Sequence, residues 1–303
     1  MMTTTSRTSS FRSLGATLLV SGLLFASSAH AQIATPQASP KSTIQQRVGL
    51  TDVTITYSRP SLRGRVGFGE GTTAAVVPFG QRWRTGANAT TSIKFSDDVT
   101  IEGKKVPAGE YGIYTIPGKA SWTVVLNKST KAGADVASFK DDENVASFTV
   151  KPSKLPTKVE TFTINFTDLT PATATVDMQW ETTSAKFRIM TDVESKVMAQ
   201  IDEKVTKSAS PSNGDLAAAA VYYFDNDKDL KQALTWMQKA NATDPKFWNL
   251  HTEAKIRMKM KDYKGAVTAA EQSKKLATEA KNTDYVKMNE MLIVSANNAS
   301  KKK

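Results

Sequence analysis

Arginine is the residue least evenly placed in this sequence. Five of its arginines, Arg59, Arg63, Arg65, Arg82 and Arg84, fall in a stretch that holds no lysine and one acid, Glu70. The stretch begins Tyr57-Ser58-Arg59-Pro60-Ser61-Leu62-Arg63-Gly64-Arg65 and resumes at Val77-Pro78-Phe79-Gly80-Gln81-Arg82-Trp83-Arg84-Thr85-Gly86-Ala87-Asn88. A planar guanidinium with five N–H donors makes bidentate and stacked contacts that an ammonium cannot. Two uses are open. As a ligand site, Arg59, Arg65 and Arg84 would bind a carboxylate, a phosphate or an acidic sugar, with Trp83 and Asn88 shaping the pocket. As struts, the same side chains would pin long loops by bonding backbone carbonyls and strand-end carboxylates such as Asp97 or Glu110. A catalytic variant, a metal-independent hydrolase or isomerase, would combine Arg59 and Arg84 with Tyr57 and a carboxylate.

Other chemistries have less to work with. The chain has no cysteine, which removes thiol nucleophiles, disulfides and cysteine-ligated metals. Its two histidines are His30 and His251, too few for a multi-histidine metal site, and no metal or cofactor is expected. Gly67-Phe68-Gly69-Glu70-Gly71 has the look of a phosphate loop but no strand–turn–helix around it, and reads as a mobile loop. Asp225-Asn226-Asp227-Lys228-Asp229 opens like a calcium loop, yet Leu230 stands where glycine is required and Trp236 where a bidentate glutamate is required. It reads as a turn between helices. Glu102, Glu110 and Glu181 are available carboxylates without a fixed separation.

The elements that must position these residues follow from composition and periodicity. The chain has 303 residues, 40% hydrophobic and 23% charged, a globular composition sufficient for about two domains. Arg7 and Arg12, an apolar run from Leu14 to Phe25 and the end Ala29-His30-Ala31 describe a secretory signal peptide over residues 1–31. The run is too short for a comfortable transmembrane span, and no cysteine marks a lipid anchor, so no stable membrane anchor is expected. The mature protein is then expected to be periplasmic or secreted. Loss of the two leader arginines would take the formal charge from +11 to +9. The excess is scattered lysine on helical faces and in the Lys301-Lys302-Lys303 tail, so no nucleic-acid partner is expected.

Between Val53 and Met190 apolar residues alternate with polar ones in many short runs. Val53/Ile55/Tyr57, Ile93/Phe95, Val99/Ile101, Tyr111/Ile113, Trp122/Val124/Leu126, Phe148/Val150, Phe162/Ile164/Phe166, Val176/Met178/Trp180 and Phe187/Ile189 are the strands predicted. Residues 32–190 are therefore expected to form an antiparallel, β-sandwich-like domain. Val193, Val197, Ile201 and Val205 then recur at spacing four, a connecting helix and linker over residues 191–210, with Ser208 to Gly214 as the breaker-rich stretch. Residues 211–303 are helical. Ala233 and Ala266 lie 33 apart and Ala220 and Ala254 lie 34 apart, the period of a two-helix solenoid unit. The fold class is α+β.

Two family resemblances follow. The small residues Ala220 and Ala254, Ala233 and Ala266 at the starts of second helices, and Pro245 at the end of a unit resemble tetratricopeptide repeats, with about two units and a further helix near Tyr285 to Ala296. Such repeats imply a groove for a protein partner. The linked motifs Ser-Arg-Pro, Val-Pro-Phe-Gly-x-x-Trp-Arg-x-Gly-Ala-Asn, Val-Pro-Ala-Gly-Glu-Tyr-Gly-Ile-Tyr-Thr-Ile-Pro and Trp-Thr-Val-Val-Leu-Asn-Lys resemble the domain of unknown function 2911 family of exported bacterial proteins. That resemblance implies a β-sandwich-like exported domain and supplies no catalytic residues. The chain departs from the pattern after Asn127-Lys128, where the family often carries Trp-Gly-Ala-Tyr. The function expected is that of a non-enzymatic binding protein. Its β domain would recognise a small anionic or polar ligand or an envelope component, and its helices a protein. A structural envelope protein is the remaining alternative.

Overall fold

The structure, a computed structural model, describes residues 1–3, 35–71, 75–133, 136 and 139–302. The leader expected at residues 1–31 lies, beyond Thr3, outside the described residues. The chain divides after Gln37; residues 35–37 are exposed and irregular, and the fold belongs to the unit that starts at Ala38.

Among the described residues, twelve strands build the first part. They are β1 (Lys41–Val48), β2 (Thr51–Ser58), β3 (Val66–Gly69), β4 (Ala75–Pro78), β5 (Ser92–Phe95), β6 (Val99–Ile101), β7 (Lys104–Val106), β8 (Gly109–Ile116), β9 (Trp122–Asn127), β10 (Asn144–Val150), β11 (Ser153–Thr167) and β12 (Thr173–Thr191). A six-stranded antiparallel sheet has the order β1-β2-β5-β8-β9-β10, and a four-stranded antiparallel sheet the order β11-β12-β6-β7. The alternating apolar residues of both sheets point inward and form one shared core. At its centre Trp83 stacks on Trp180 with ring centres 5.8 Å apart, while Phe68 meets Trp83, Trp122 and Trp180 edge-on. Large aromatics bring more apolar area per backbone residue ordered than aliphatic side chains.

Strands β1, β4 and β7 are not among the runs predicted, and two further features differ from the sequence expectation. Gly67 to Gly69 belongs to strand β3, which pairs in parallel with β4 and places Phe68 in the aromatic centre. Its period is hidden because glycines at 67 and 69 leave Phe68 as the one buried apolar side chain, Val66 being 45% exposed. The second difference is that the runs around Trp180 and Phe187 are one continuous strand. Ala174, Val176, Met178 and Trp180 face the core at even positions, whereas Ala185, Phe187 and Ile189 face it at odd ones. The parity changes at Glu181, whose backbone is left-handed at φ 54°, and register with β11 shifts in this region. An added residue in one strand bends it and turns later side chains to the other face. Glu181 also accepts a hydrogen bond from the Gly67 N–H at 3.1 Å, which ties β3 to the bend.

The second part is helical: α1 (Val193–Ile201), α2 (Asn213–Asp225), α3 (Leu230–Thr243), α4 (Phe247–Lys259), α5 (Tyr263–Glu279) and α6 (Thr283–Ser300). A spacing of four held over three steps is wider than 3.6 residues per turn. The chain accommodates it by a π turn over 202–206, closed by Lys207 N–H to Asp202 C=O at 2.8 Å. Ile201 and Val205 therefore stay on one side and pack with Leu216, Ala220, Trp236 and Met237. The breaker-rich stretch ends earlier than its composition suggests, because Ser212 caps α2 by accepting from Asp215 N–H. Successive helices from α2 to α6 pack on one another, closely where alanines meet, as at Ala254, Ala269 and Ala270. The region is repeat-like, and the chain as a whole is an antiparallel β domain followed by stacked helices.

The cap of α5 generates a test. Asp262 accepts from Gly265 N–H at 3.0 Å and from Arg257 at 2.7 Å, and these bonds, the backbone one first, hold its carboxyl below the usual carboxylate range. The carboxylate therefore stabilises the fold fully above the ordinary carboxylate pKa, and that contribution disappears as pH falls through the lower folded-state value. Asp262→Ala should cost about 1 kcal/mol at pH 7 from the lost cap alone, and the gap from the parent should narrow on acidification. Thermal melts at pH 7 and pH 3 check both.

Candidate functional site

The arginines of the two loops are divided between two places. Arg59 donates from Nε to the Phe162 carbonyl at 3.1 Å and from a terminal nitrogen to Thr163 Oγ1 at 2.7 Å. Arg65 donates to the carbonyls of Leu62 at 2.9 Å and Ser61 at 3.0 Å. Arg63 reaches the Ala38 carbonyl at 3.2 Å, and Asn88, with a left-handed backbone, donates to the neighbouring Ser39 carbonyl at 3.0 Å. These four side chains close the loop 59–65 on itself, on β11 and on the lead into β1. Their geometry is that of struts, in which a fork of donors satisfies carbonyls that no strand partner reaches. Tyr57 is also internal: it is buried, and its hydroxyl accepts from Ile164 N–H at 3.0 Å.

Arg82 and Arg84 stand elsewhere. Trp83 pairs with Thr115 of β8 as an isolated bridge, and its ring lies in the core, with Nε1–H donating to the Gly86 carbonyl at 2.9 Å. Side chains alternate along extended backbone, so Arg82 and Arg84 leave toward the outer face of the six-stranded sheet, the face of Gly112 and Tyr114. The Arg82 guanidinium lies 3.7 Å from the centre of the Phe139 ring and pairs with Asp141 at 3.0 Å. Phe139 meets Tyr114 edge-on at 4.7 Å. Arg84 is partly buried, and loss of water pulls its pKa below the ordinary guanidinium value. Tyr114 donates to the Ser129 carbonyl at 3.0 Å, and Thr90 to the Ala132 carbonyl at 2.9 Å. Asn127 completes the attachment by donating to the Lys140 carbonyl and accepting from Ser129 N–H, each at 2.8 Å. The described part of the segment after β9 is thus fastened over the outer face, and Phe139 supplies an aromatic on it.

Of the five residues singled out in the sequence, Arg59, Arg65 and Asn88 share the strut cluster, Trp83 belongs to the core, and Arg84 alone lies on the outer face. The residues that the sequence reading passed over there are Thr90, Tyr114 and Asn127, which are buried polar side chains within or beside strands. Among the described residues no group of three or more His, Cys, Asp or Glu could hold a metal ion.

The helical part has its own exposed face. Counting from the capping residues Ser212, Lys246 and Asn282, Val221, Lys255 and Met291 each stand nine residues on, and Trp248 stands two on. Trp248 is 45% exposed, Val221 36% and Met291 64%. Lys255 and Lys259 hold their ammonium groups 4.9 and 5.1 Å from the centre of the Phe224 ring, and Lys259 is also paired with Asp227. Exposed single apolar residues are ordinary, but Val221 and Met291 stand at the same count from their helix caps, with Lys255 at that count on α4, so the position recurs. His251 takes no part, since its Nδ1 lies 2.9 Å from Asn289 Oδ1.

Residues 39–189 match the model of a family described as "Protein of unknown function (DUF2911)", the region that contains both arginine loops and the whole outer-face cluster. Neither curated proteins nor solved structures gave a match to the chain.

Removing the fork of Arg59 leaves the buried Phe162 carbonyl without that donor, so Arg59→Ala should cost about 1–3 kcal/mol. Arg63→Ala, on an exposed side chain, should stay within about 0.5 kcal/mol. Urea denaturation of both variants checks the contrast, and equal losses would contradict the strut geometry.

Proposed function

We propose, with the DUF2911 match over residues 39–189 as the premise, that this is an exported, non-enzymatic binding protein of the periplasm or the extracellular medium. Its tetratricopeptide-like helices dock a protein partner, and its β domain recognises a small anionic ligand at Arg84. The observation that carries the reading is Trp248. An indole left nearly half in water at the head of α4, the helix that packs against those of Val221 and Met291, is the residue type that dominates protein interfaces once buried. Among the described residues no helix is long and apolar enough to cross a membrane, which agrees with a partner met in solution.

The partner test uses a photo-crosslinking residue placed at Trp248 and, as the control, at Lys275 on α5. A discrete crosslinked species should form from position 248 and be absent from 275, and the partner identified should bind Trp248→Ala more weakly by about 2 kcal/mol or more. Identical crosslinking from both positions would reject the docking face.

The ligand reading rests on Arg84. It lies, only partly buried, on the outer face of the six-stranded sheet, where a guanidinium can offer charge-assisted donors to an anion. Purified residues 32–303 should melt higher with citrate or glucuronate, and Arg84→Ala should abolish the shift. An undiminished shift in that variant would remove Arg84 from the site.

A further inference from the structure

The outer face of the four-stranded sheet carries a hollow that neither reading above uses. Beyond the bend at Glu181 the residues of β12 that face outward are Ser184, Lys186, Arg188 and Met190, and before it they are Thr175, Asp177 and Gln179. Because the bend turns the strand back over its own outer face, Ser184 donates to Asp177 Oδ1 at 2.6 Å. Gln179 donates to Oδ2 at 2.8 Å, and the Lys186 ammonium stands 3.4 Å from the same oxygen. Asp177 is 2% exposed. A carboxylate so far from water must be paired and hydrogen-bonded to remain charged, so Lys186 is held in place rather than sweeping through solvent.

Two residues further on the same face, Arg188 is exposed, and its guanidinium makes no ion pair among the described residues. Its backbone is fixed, the N–H donating to Glu102 Oε1 at 2.7 Å. Met190, 48% exposed, lies across from Thr100 of β6, which lies across from Lys105 of β7. These residues line two adjoining hollows of about 540 and 630 Å³ that share Thr100 and Met190. Volumes of this size hold small organic molecules.

We propose that this hollow binds a small organic carboxylate with an apolar body, the carboxylate between Lys186 and Arg188 and the body along Met190. One anchored and one unpaired cation give a single anion two charge-assisted partners. Asp168, whose carboxylate also lies 4.0 Å from the Lys186 ammonium, and Glu102 stand on the rim and repel a multiply charged anion, so a phosphate is disfavoured. The site lies on the sheet opposite Arg84 and does not depend on the readings above.

The test follows the Met190 methyl resonance, assigned with Met190→Leu, in the full chain labelled at methionine methyl groups, during titration with octanoate. Octanoate should shift that resonance in a saturable way. Arg188→Gln should weaken binding at least tenfold without lowering the melting temperature, and Arg84→Ala should leave the titration unchanged. Failure of octanoate to move the resonance, an equal response to octyl glucoside or to inorganic phosphate, or undiminished binding in Arg188→Gln would each overturn the proposal. A loss in Arg84→Ala equal to that in Arg188→Gln would do the same, by placing the ligand on the other sheet.

Discussion

The burial of Trp83 between the sheets sets the directions of the residues around it. The ring is confined by Trp180 on one face and by Phe68 and Phe162 at its edges, and its N–H is used within its own loop. Because the segment is extended, fixing one side chain inward fixes both neighbours outward. Arg82 and Arg84 thus reach the outer face through a packing constraint. A Trp-to-aliphatic change would loosen the core and at the same time remove the reason for their direction, which links stability to the presentation of charge.

The β content of the chain was legible from alternation because each strand has one wet and one dry side, as Val53, Ile55 and Tyr57 of β2 illustrate. What alternation hides is a change of phase. The runs ending at Trp180 and starting at Phe187 read as separate strands, since a two-residue period cannot continue across an inserted residue. A sequence shows the break without showing whether the chain turns or merely bulges. The arginines pose the same limit in another form. Their number and lack of acidic neighbours pointed to guanidinium chemistry, and the arginines divide between two settings. Arg59 and Arg65 serve carbonyls of loops with no strand partner, and Arg84 lies partly desolvated on a sheet face. Nothing in residue type separates a carbonyl from a ligand oxygen as the acceptor. Strand β3 escaped notice because Phe68, between two glycines, is too little pattern for any period.

The helical part was legible for a different reason. Close helix contact demands small side chains at fixed intervals, and alanines 33 or 34 residues apart record that demand even where aromatic positions of a typical repeat are replaced. The spacing of four in the connecting helix recorded a π turn in the same way. The alignment of Val221, Lys255 and Met291 depends on where each helix is capped, and the caps differ in kind. Ser212 and Asn282 use side chains, whereas Lys246 uses none. Only the observed helix starts bring the three residues into register.

Helix α1 is the joint between the two parts, and its attachments are unequal in kind. Lys196 pairs with Asp97 at 2.6 Å and holds that carboxyl below its usual range, while Glu194 pairs with Lys228 at 2.5 Å. Partly exposed pairs of this sort contribute ~1 kcal/mol or less each, and salt screens them. The apolar contacts are firmer: Ile201 and Val205 are buried in the helical core, and Gly49, at φ 58°, leaves no room for a Cβ beside Val193 and Thr191. The attachment of α1 to the helices is therefore set by burial. Its attachment to the sheets relies on backbone proximity at Gly49 and on charge. Salt should then weaken the second before the first, because the first keeps the burial of Ile201 and Val205 when its Glu194–Lys228 pair is screened.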